Sequence, residues 1–178
     1  MGETATLLTE RLETHDPDSA GHAERVTVLA LQIAAALRAG AGRLDAIRTG
    51  GPVHDVGKLA VDPSILRKPG ALDPEEVESI RRHPELGVRM LEGVLRRGLE
   101  CVLHHHERWD GTGYPHGLAG DEIPIEARIV ALADAYDAMT SERPYRRALT
   151  HEEALAEVRR CAGTQFDPQV AQAFLQIA

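Results

Sequence analysis

Two adjacent residues, His54 and Asp55, close an apolar segment and are followed by Val56-Gly57-Lys58. An imidazole holds one cation through one nitrogen, whereas a carboxylate has two oxygens and can bridge two cations. An adjacent His-Asp pair therefore suits a site with more than one metal ion. Taken alone, the pair is weak evidence, since such a dipeptide is usually a surface helix cap or a local hydrogen bond. Donors of the same kind recur along the chain. His22 opens a helical segment, His83 precedes Pro84, and His104-His105-His106-Glu107 ends another segment. Asp134 follows the apolar run Ile129-Val130-Ala131-Leu132-Ala133, where a carboxylate is costly unless paired or metal-bound. Each has a plain alternative: His22 as a helix-end hydrogen bonder, His83 as a turn residue, Asp134 as a buried cap or salt-bridge partner. Together they point more economically to one polynuclear site of nitrogen and oxygen donors. Such a site suits Fe, Mn, Co or Ni better than a thiolate-rich structural zinc.

The elements that must position these residues read as helices. A short leading helix is expected near residues 5–14, with Leu8 and Leu12 one turn apart. Asp16-Pro17-Asp18-Ser19 interrupts it and offers a cap for a second helix, whose stripe is Val26, Leu29, Ile33 and Leu37 and which stops at Gly40 and Gly42. A third segment with Leu44 and Ile47 runs towards His54-Asp55, bent by Gly50-Gly51-Pro52. Asp73-Pro74-Glu75-Glu76 is a capping box, and Pro84 is expected to divide the following helix from one through Val88, Leu91 and Leu95. A helix from about Leu99 to Glu107 precedes the glycine-rich loop Asp110-Gly111-Thr112-Gly113-Tyr114-Pro115. Ile125, Ile129, Leu132 and Tyr136 stripe a longer helix; Thr150 and Asp167 cap two more. No run alternates well enough to be a strand, so the expected class is all-α.

The bulk numbers agree with this. The 178 residues suit one domain. Aromatic residues make up 3% against 43% hydrophobic, so the core must be built from Leu, Ile, Val and Ala, a mixture that favours helices. A net charge of −8 argues against broad binding to a nucleic-acid polymer or an anionic membrane. It leaves room for an anionic small molecule where metals and a few cations concentrate positive charge. Cys101 and Cys161 lack zinc-finger spacing and read as two buried thiols. No membrane span or signal peptide is legible, so a cytoplasmic protein is expected.

Val53-His54-Asp55-Val56-Gly57-Lys58, the stretch from His105 to Pro115, and Ala133-Asp134-Ala135-Tyr136-Asp137-Ala138-Met139-Thr140-Ser141-Glu142-Arg143-Pro144-Tyr145 resemble the signatures of HD-GYP domains. Ile65-Leu66-Arg67-Lys68-Pro69-Gly70 belongs to the same match, which runs from about Asp16-Pro17 to Phe166-Asp167-Pro168. The resemblance implies an HD-superfamily helical bundle: one domain over residues 1–178, with a leading helix over 1–14 and a catalytic core over 15–178. No receiver or sensory domain is expected ahead of it within the chain. The implied activity is hydrolysis of cyclic di-GMP by two or three divalent metal ions, Fe or Mn foremost, with Co, Ni or Mg as further candidates. The implied metal ligands are His22, His54, Asp55, His83, His105, His106, Asp134 and, for a third ion, Asp18. Aspartate at position 18 is one methylene shorter than the glutamate usual there, so the choice between two and three metals hangs on it. Lys58 matches the lysine near the scissile phosphate. Gly113, Tyr114, Asp137, Arg143 and Arg146 match positions near the substrate. His104 is extra and is expected to support the pair or face solvent, while His15, His116 and His151 are expected at the surface.

The expected chemistry is in-line attack at phosphorus by a hydroxide held between two metals bridged by Asp55. Lys58 would steady the charge that builds, and Asp16 or a metal-bound water would protonate the leaving 3′-oxygen. The product is linear pGpG, with GMP from a second cut. The alternatives are a catalytically weak cyclic di-GMP-binding signalling module and an HD hydrolase of another nucleotide. A homodimer or a signalling-protein partner fits either reading.

Overall fold

The computed structural model describes residues 3–16, 19–142 and 147–178. Among these residues ten α-helices follow one another: α1 (Glu3–His15), α2 (His22–Ala36), α3 (Ala41–Gly50), α4 (Pro63–Leu66), α5 (Pro74–Arg81), α6 (His83–Leu91), α7 (Leu99–His104), α8 (Ile125–Thr140), α9 (His151–Cys161) and α10 (Pro168–Ile177). Among the described residues there is no β-strand, only two isolated bridges, Asp110 with Ala119 and Ala162 with Phe166. Nor, among them, is any helix long and apolar enough to cross a membrane.

The larger core gathers Val26, Ile33, Ile47, Ile129, Leu132 and Phe174 from α2, α3, α8 and α10. A smaller one joins Ala5, Val53, Val56, Leu91 and Val102. Burying each such Val, Leu, Ile or Phe side chain contributes roughly 1.5–3 kcal/mol. Both thiols are free and buried: Cys101 lies in the larger core against α3, and burial pushes both thiols up from their ordinary values.

Several helix signals read from the sequence act as expected. Asp73 accepts from the Glu75 and Glu76 N–H groups and Glu76 returns the bond; Thr150 with Glu153 does the same for α9. Asp167 caps α10. Others are corrected. The N-cap of α2 is Gly21 in a left-handed conformation with no side-chain cap, because the cap position falls two residues beyond Ser19. That helix ends at Ala36, with Arg38 at φ 54, and Gly40 starts α3 rather than stopping α2. The break between α5 and α6 falls at Arg82, and Pro84 sits within the first turn of α6. The α7 helix stops at His104, so Glu107 lies beyond it.

Two short 3-10 turns carry the His-Asp pair. Gly51–Val53 leads into His54, and Asp55 leads into Val56–Ala60. The second turn packs on α6, so closely that a Cβ on Gly57 would overlap the His83 carbonyl oxygen and sit 2.6 Å from the Gly87 nitrogen. Backbone, not side chain, therefore sets the spacing between Asp55 and His83. Gly57→Ala should cost at or above the upper end of the about 1–3 kcal/mol usual for overpacking. Urea unfolding measures it, with a lowered midpoint expected.

Candidate metal centre

Asp55 is 4% exposed, and the imidazoles of His54, His83 and His105 around it are at most 2% exposed. Each of these three rings is aimed by its own backbone. His54 Nδ1 donates to the Gly51 carbonyl at 2.7 Å, His83 Nδ1 to Ile80 at 2.8 Å and His105 Nδ1 to Val102 at 2.9 Å. A carbonyl only accepts, so Nδ1 carries the proton and Nε2 of the neutral ring presents a lone pair. Burial holds His54 neutral by pushing it down to about 4, and lowers His83 as well.

Those lone pairs converge on Asp55. Its Oδ1 lies 3.3 Å from His83 Nε2 and 3.6 Å from His105 Nε2, while Oδ2 lies 3.6 Å from His54 Nε2. His54 Nε2 and Asp55 Oδ1 are buried and make no hydrogen bond. Acceptors facing acceptors with no hydrogen between them repel, and a cation among them is what this donor set fits. Asp55, His83, His105 and His106 form one group with ligand atoms within 4.8 Å of one another; His22, His54 and Asp55 form a second. Asp55 is common to both, as a bridging carboxylate must be.

Lys58 supplies the compensating charge, its Nζ 2.6 Å from Asp55 Oδ2. Burial alone would raise the Asp55 carboxyl, but the Lys58 ammonium together with the imidazoles of His54, His105 and His83 outweighs it and holds the group well below the usual carboxylate range.

His22 is held differently. Its Nδ1 is 2.7 Å from Asp137 Oδ2 and its Nε2 is 3.1 Å from Asp134 Oδ1. Burial pulls this imidazole down, yet the hydrogen bonds to Asp134 and Asp137 prevail and push it up to about 9. A cation taking Nε2 therefore displaces a proton.

Asp137, expected near the substrate, has both of its oxygens engaged inside the protein. It is 7% exposed, and Arg25 fills what His22 leaves, with Nε 2.6 Å from Oδ1 and Nη2 3.0 Å from Oδ2. A carboxylate so engaged orients the histidine. Arg25 went unnoticed in the sequence. The signal was two pairs three residues apart, His22 with Arg25 and Asp134 with Asp137, which face each other where α2 packs on α8.

A cavity of about 430 Å³ opens over this cluster and is lined by Asp16, His22, Asp55, Lys58, His106 and Asp134 among others. Lys68, which sequence reading quoted without a role, lines it too and pairs with Glu76 at 2.6 Å. Gly113 and Tyr114 line a separate cavity of about 220 Å³ that shares His106 and Asp134 with the first. The Tyr114 ring stacks on His106, with centroids 4.7 Å apart, and the Arg81 guanidinium lies 5.4 Å from its centre. Gly113 is required there, since a Cβ would lie 2.6 Å from both the Glu107 Cα and the His106 carbonyl. Asp18, Arg143 and Arg146 lie outside the described residues. His15 bonds the Val61 carbonyl and His151 meets the Tyr136 hydroxyl, both away from the cluster. His104 is turned away from it towards Glu100 and Glu107.

A family model described as HD domain matches residues 6–170. A cyclic di-GMP phosphodiesterase of Thermotoga maritima is 41% identical over 98% of this chain and 49% of its own length. The cyclic di-GMP phosphodiesterase response regulator RpfG of Xanthomonas campestris is 40% identical over 98% of this chain and 47% of its own. The chain thus spans about half the length of the curated relatives it matches. Among solved structures, the HDG"Y"P protein Bd1817 of Bdellovibrio bacteriovorus superposes with a TM-score of 0.69 at 20% identity, covering 88% of this chain and 51% of that one. At that identity the likeness concerns the fold.

If Asp137 orients His22, Asp137→Asn should weaken metal binding about 10–100-fold with little change in the fold. Metal titration followed by calorimetry, alongside circular dichroism, checks this. Adding Mn²⁺ to metal-stripped protein should raise its melting temperature, and His54→Ala should abolish most of that rise.

Proposed function

Because this chain belongs to the HD domain family, we propose that it is a metal-dependent phosphodiesterase that hydrolyses cyclic di-GMP to linear pGpG, with GMP from a second cut. The observation that carries the reading is Asp55, whose two oxygens are faced by imidazole nitrogens from two donor groups. The relatives named as cyclic di-GMP phosphodiesterases support the choice of substrate.

In this reading His83, His105 and His106 hold one ion, His22 and His54 another with Asp134 beside them, and Asp55 is shared. Asp18 is the proposed ligand of a third. The mixed nitrogen and oxygen donors suit Fe or Mn. Such ions, when bound, bring water's pKa towards neutrality and polarise a phosphate.

The chain's own groups do the rest. Burial works against the charged form of Lys58, but Asp55 beside it outweighs this and keeps the ammonium protonated at the cavity wall. There it meets the charge that builds on phosphate oxygens. Asp16 lines the same cavity, and that position supports it as the proposed donor of a proton to the leaving 3′-oxygen. Tyr114 borders the base: one face is covered by His106, and Arg81 lies near the ring. Arg143 and Arg146 remain proposed substrate contacts. The cytoplasm is the proposed location, where this messenger would be met.

Protein loaded anaerobically with Fe²⁺ or Mn²⁺ should release pGpG from cyclic di-GMP, as resolved by chromatography. Tight binding without any product would replace this reading with that of a signalling module. Faster turnover of a different cyclic dinucleotide in competition would redirect the substrate. Lys58→Met should lower kcat roughly 10²–10³-fold, the usual cost of losing one donor to transition-state charge, with metal content retained.

A further inference from the structure

A second cluster of donors lies outside the centre described above. His104 at the end of α7, Glu107 just beyond it and His116 in the following loop each offer an atom within 4.8 Å of the others. His104 belongs to neither donor group around Asp55. It is 7% exposed, yet its Nδ1 is buried without a hydrogen-bond partner. Its other nitrogen, Nε2, lies 3.3 Å from Glu100 Oε2. The negative charge of this carboxylate favours the ring proton on Nε2, which leaves the lone pair on Nδ1.

That lone pair faces Glu107 Oε1 at 3.8 Å, beyond hydrogen-bond reach. The Glu107 side chain is fully buried and accepts from the His116 N–H at 2.8 Å and the Leu118 N–H at 3.1 Å. A carboxylate has about four acceptor positions, so part of its capacity remains. The backbone bonds also fix where residue 116 sits. The His116 ring is exposed, with its centroid 5.4 Å from that of His104.

We propose that His104, Glu107 and His116 bind a single divalent ion of the zinc class and so pin the loop that carries Tyr114 to the end of α7. Two imidazoles and one carboxylate are a three-ligand zinc set that leaves a fourth position to water. Ligands about 2.1 Å from a tetrahedral ion stand roughly 3.4 Å apart, and 3.8 Å is a small adjustment from this. Glu100 takes the part of the outer carboxylate that holds a zinc-binding imidazole in its tautomer. The site stands on its own residues and does not depend on the activity proposed above.

Zinc bound per chain, measured by elemental mass spectrometry after equilibration in a chelator-buffered Zn²⁺ solution, tests this. Wild-type protein should hold one more zinc than His116→Ala and one more than His104→Gln, and His54→Ala should keep that ion. His116 is exposed, so its variant folds even if the His104 substitution disturbs its neighbour. The His116 ring nitrogens should also shift in NMR spectra of the wild type on Zn²⁺ addition. Equal zinc content in the wild type and His116→Ala, with unshifted His116 nitrogens, would overturn the proposal.

Discussion

A carboxylate buried among imidazole lone pairs is the constraint on which this structure turns. Moving an ionised carboxylate out of water costs several kcal/mol unless charge and hydrogen bonds replace what water gave. Lys58 compensates one oxygen of Asp55, and no hydrogen bond compensates the other. The protein keeps this arrangement instead of an apolar one of equal volume. Cations bound there would offset the cost of the cluster, because binding energy realised only in the folded state is folding energy.

The surrounding architecture serves to hold that cluster still. The rings of His54, His83 and His105 each donate Nδ1–H to the carbonyl three residues earlier. One local device, available wherever a helix or 3-10 turn ends, thus aims three histidines from separate parts of the chain. The close approach at Gly57 then brings the Asp55 turn against α6. His22 lies outside this scheme. It is aimed by Asp137, which Arg25 holds in turn, so its orientation depends on α2 and α8 packing together.

Much of this was legible in the sequence, for reasons that differ by residue. Capping boxes at Asp73 and Thr150 are local, and local signals survive folding unchanged. His54 and Asp55 gained meaning from long motifs in order, which a single dipeptide lacks. The pairing of Asp137 with His22 and Arg25 was not legible because these partners lie on α2, at separations of 115 and 112 positions. The cap of α2 was misjudged because the cap position falls two residues beyond Ser19, on a left-handed Gly21. His104 read as an incidental neighbour of the pair. Only its orphaned Nδ1 and the fold of the following loop give it a site of its own.

The two cavities share His106 and Asp134, with Lys58 lining one and Tyr114 the other, and the dinucleotide proposed as substrate would lie across them. That geometry has force only if Asp55 joins two ions. Anomalous diffraction from crystals of the Mn²⁺-loaded protein tests this most directly. The account predicts two strong peaks, one beside each oxygen of Asp55, with His83 and His105 near one and His54 near the other. A single peak, or peaks that leave Asp55 uncoordinated, would contradict it.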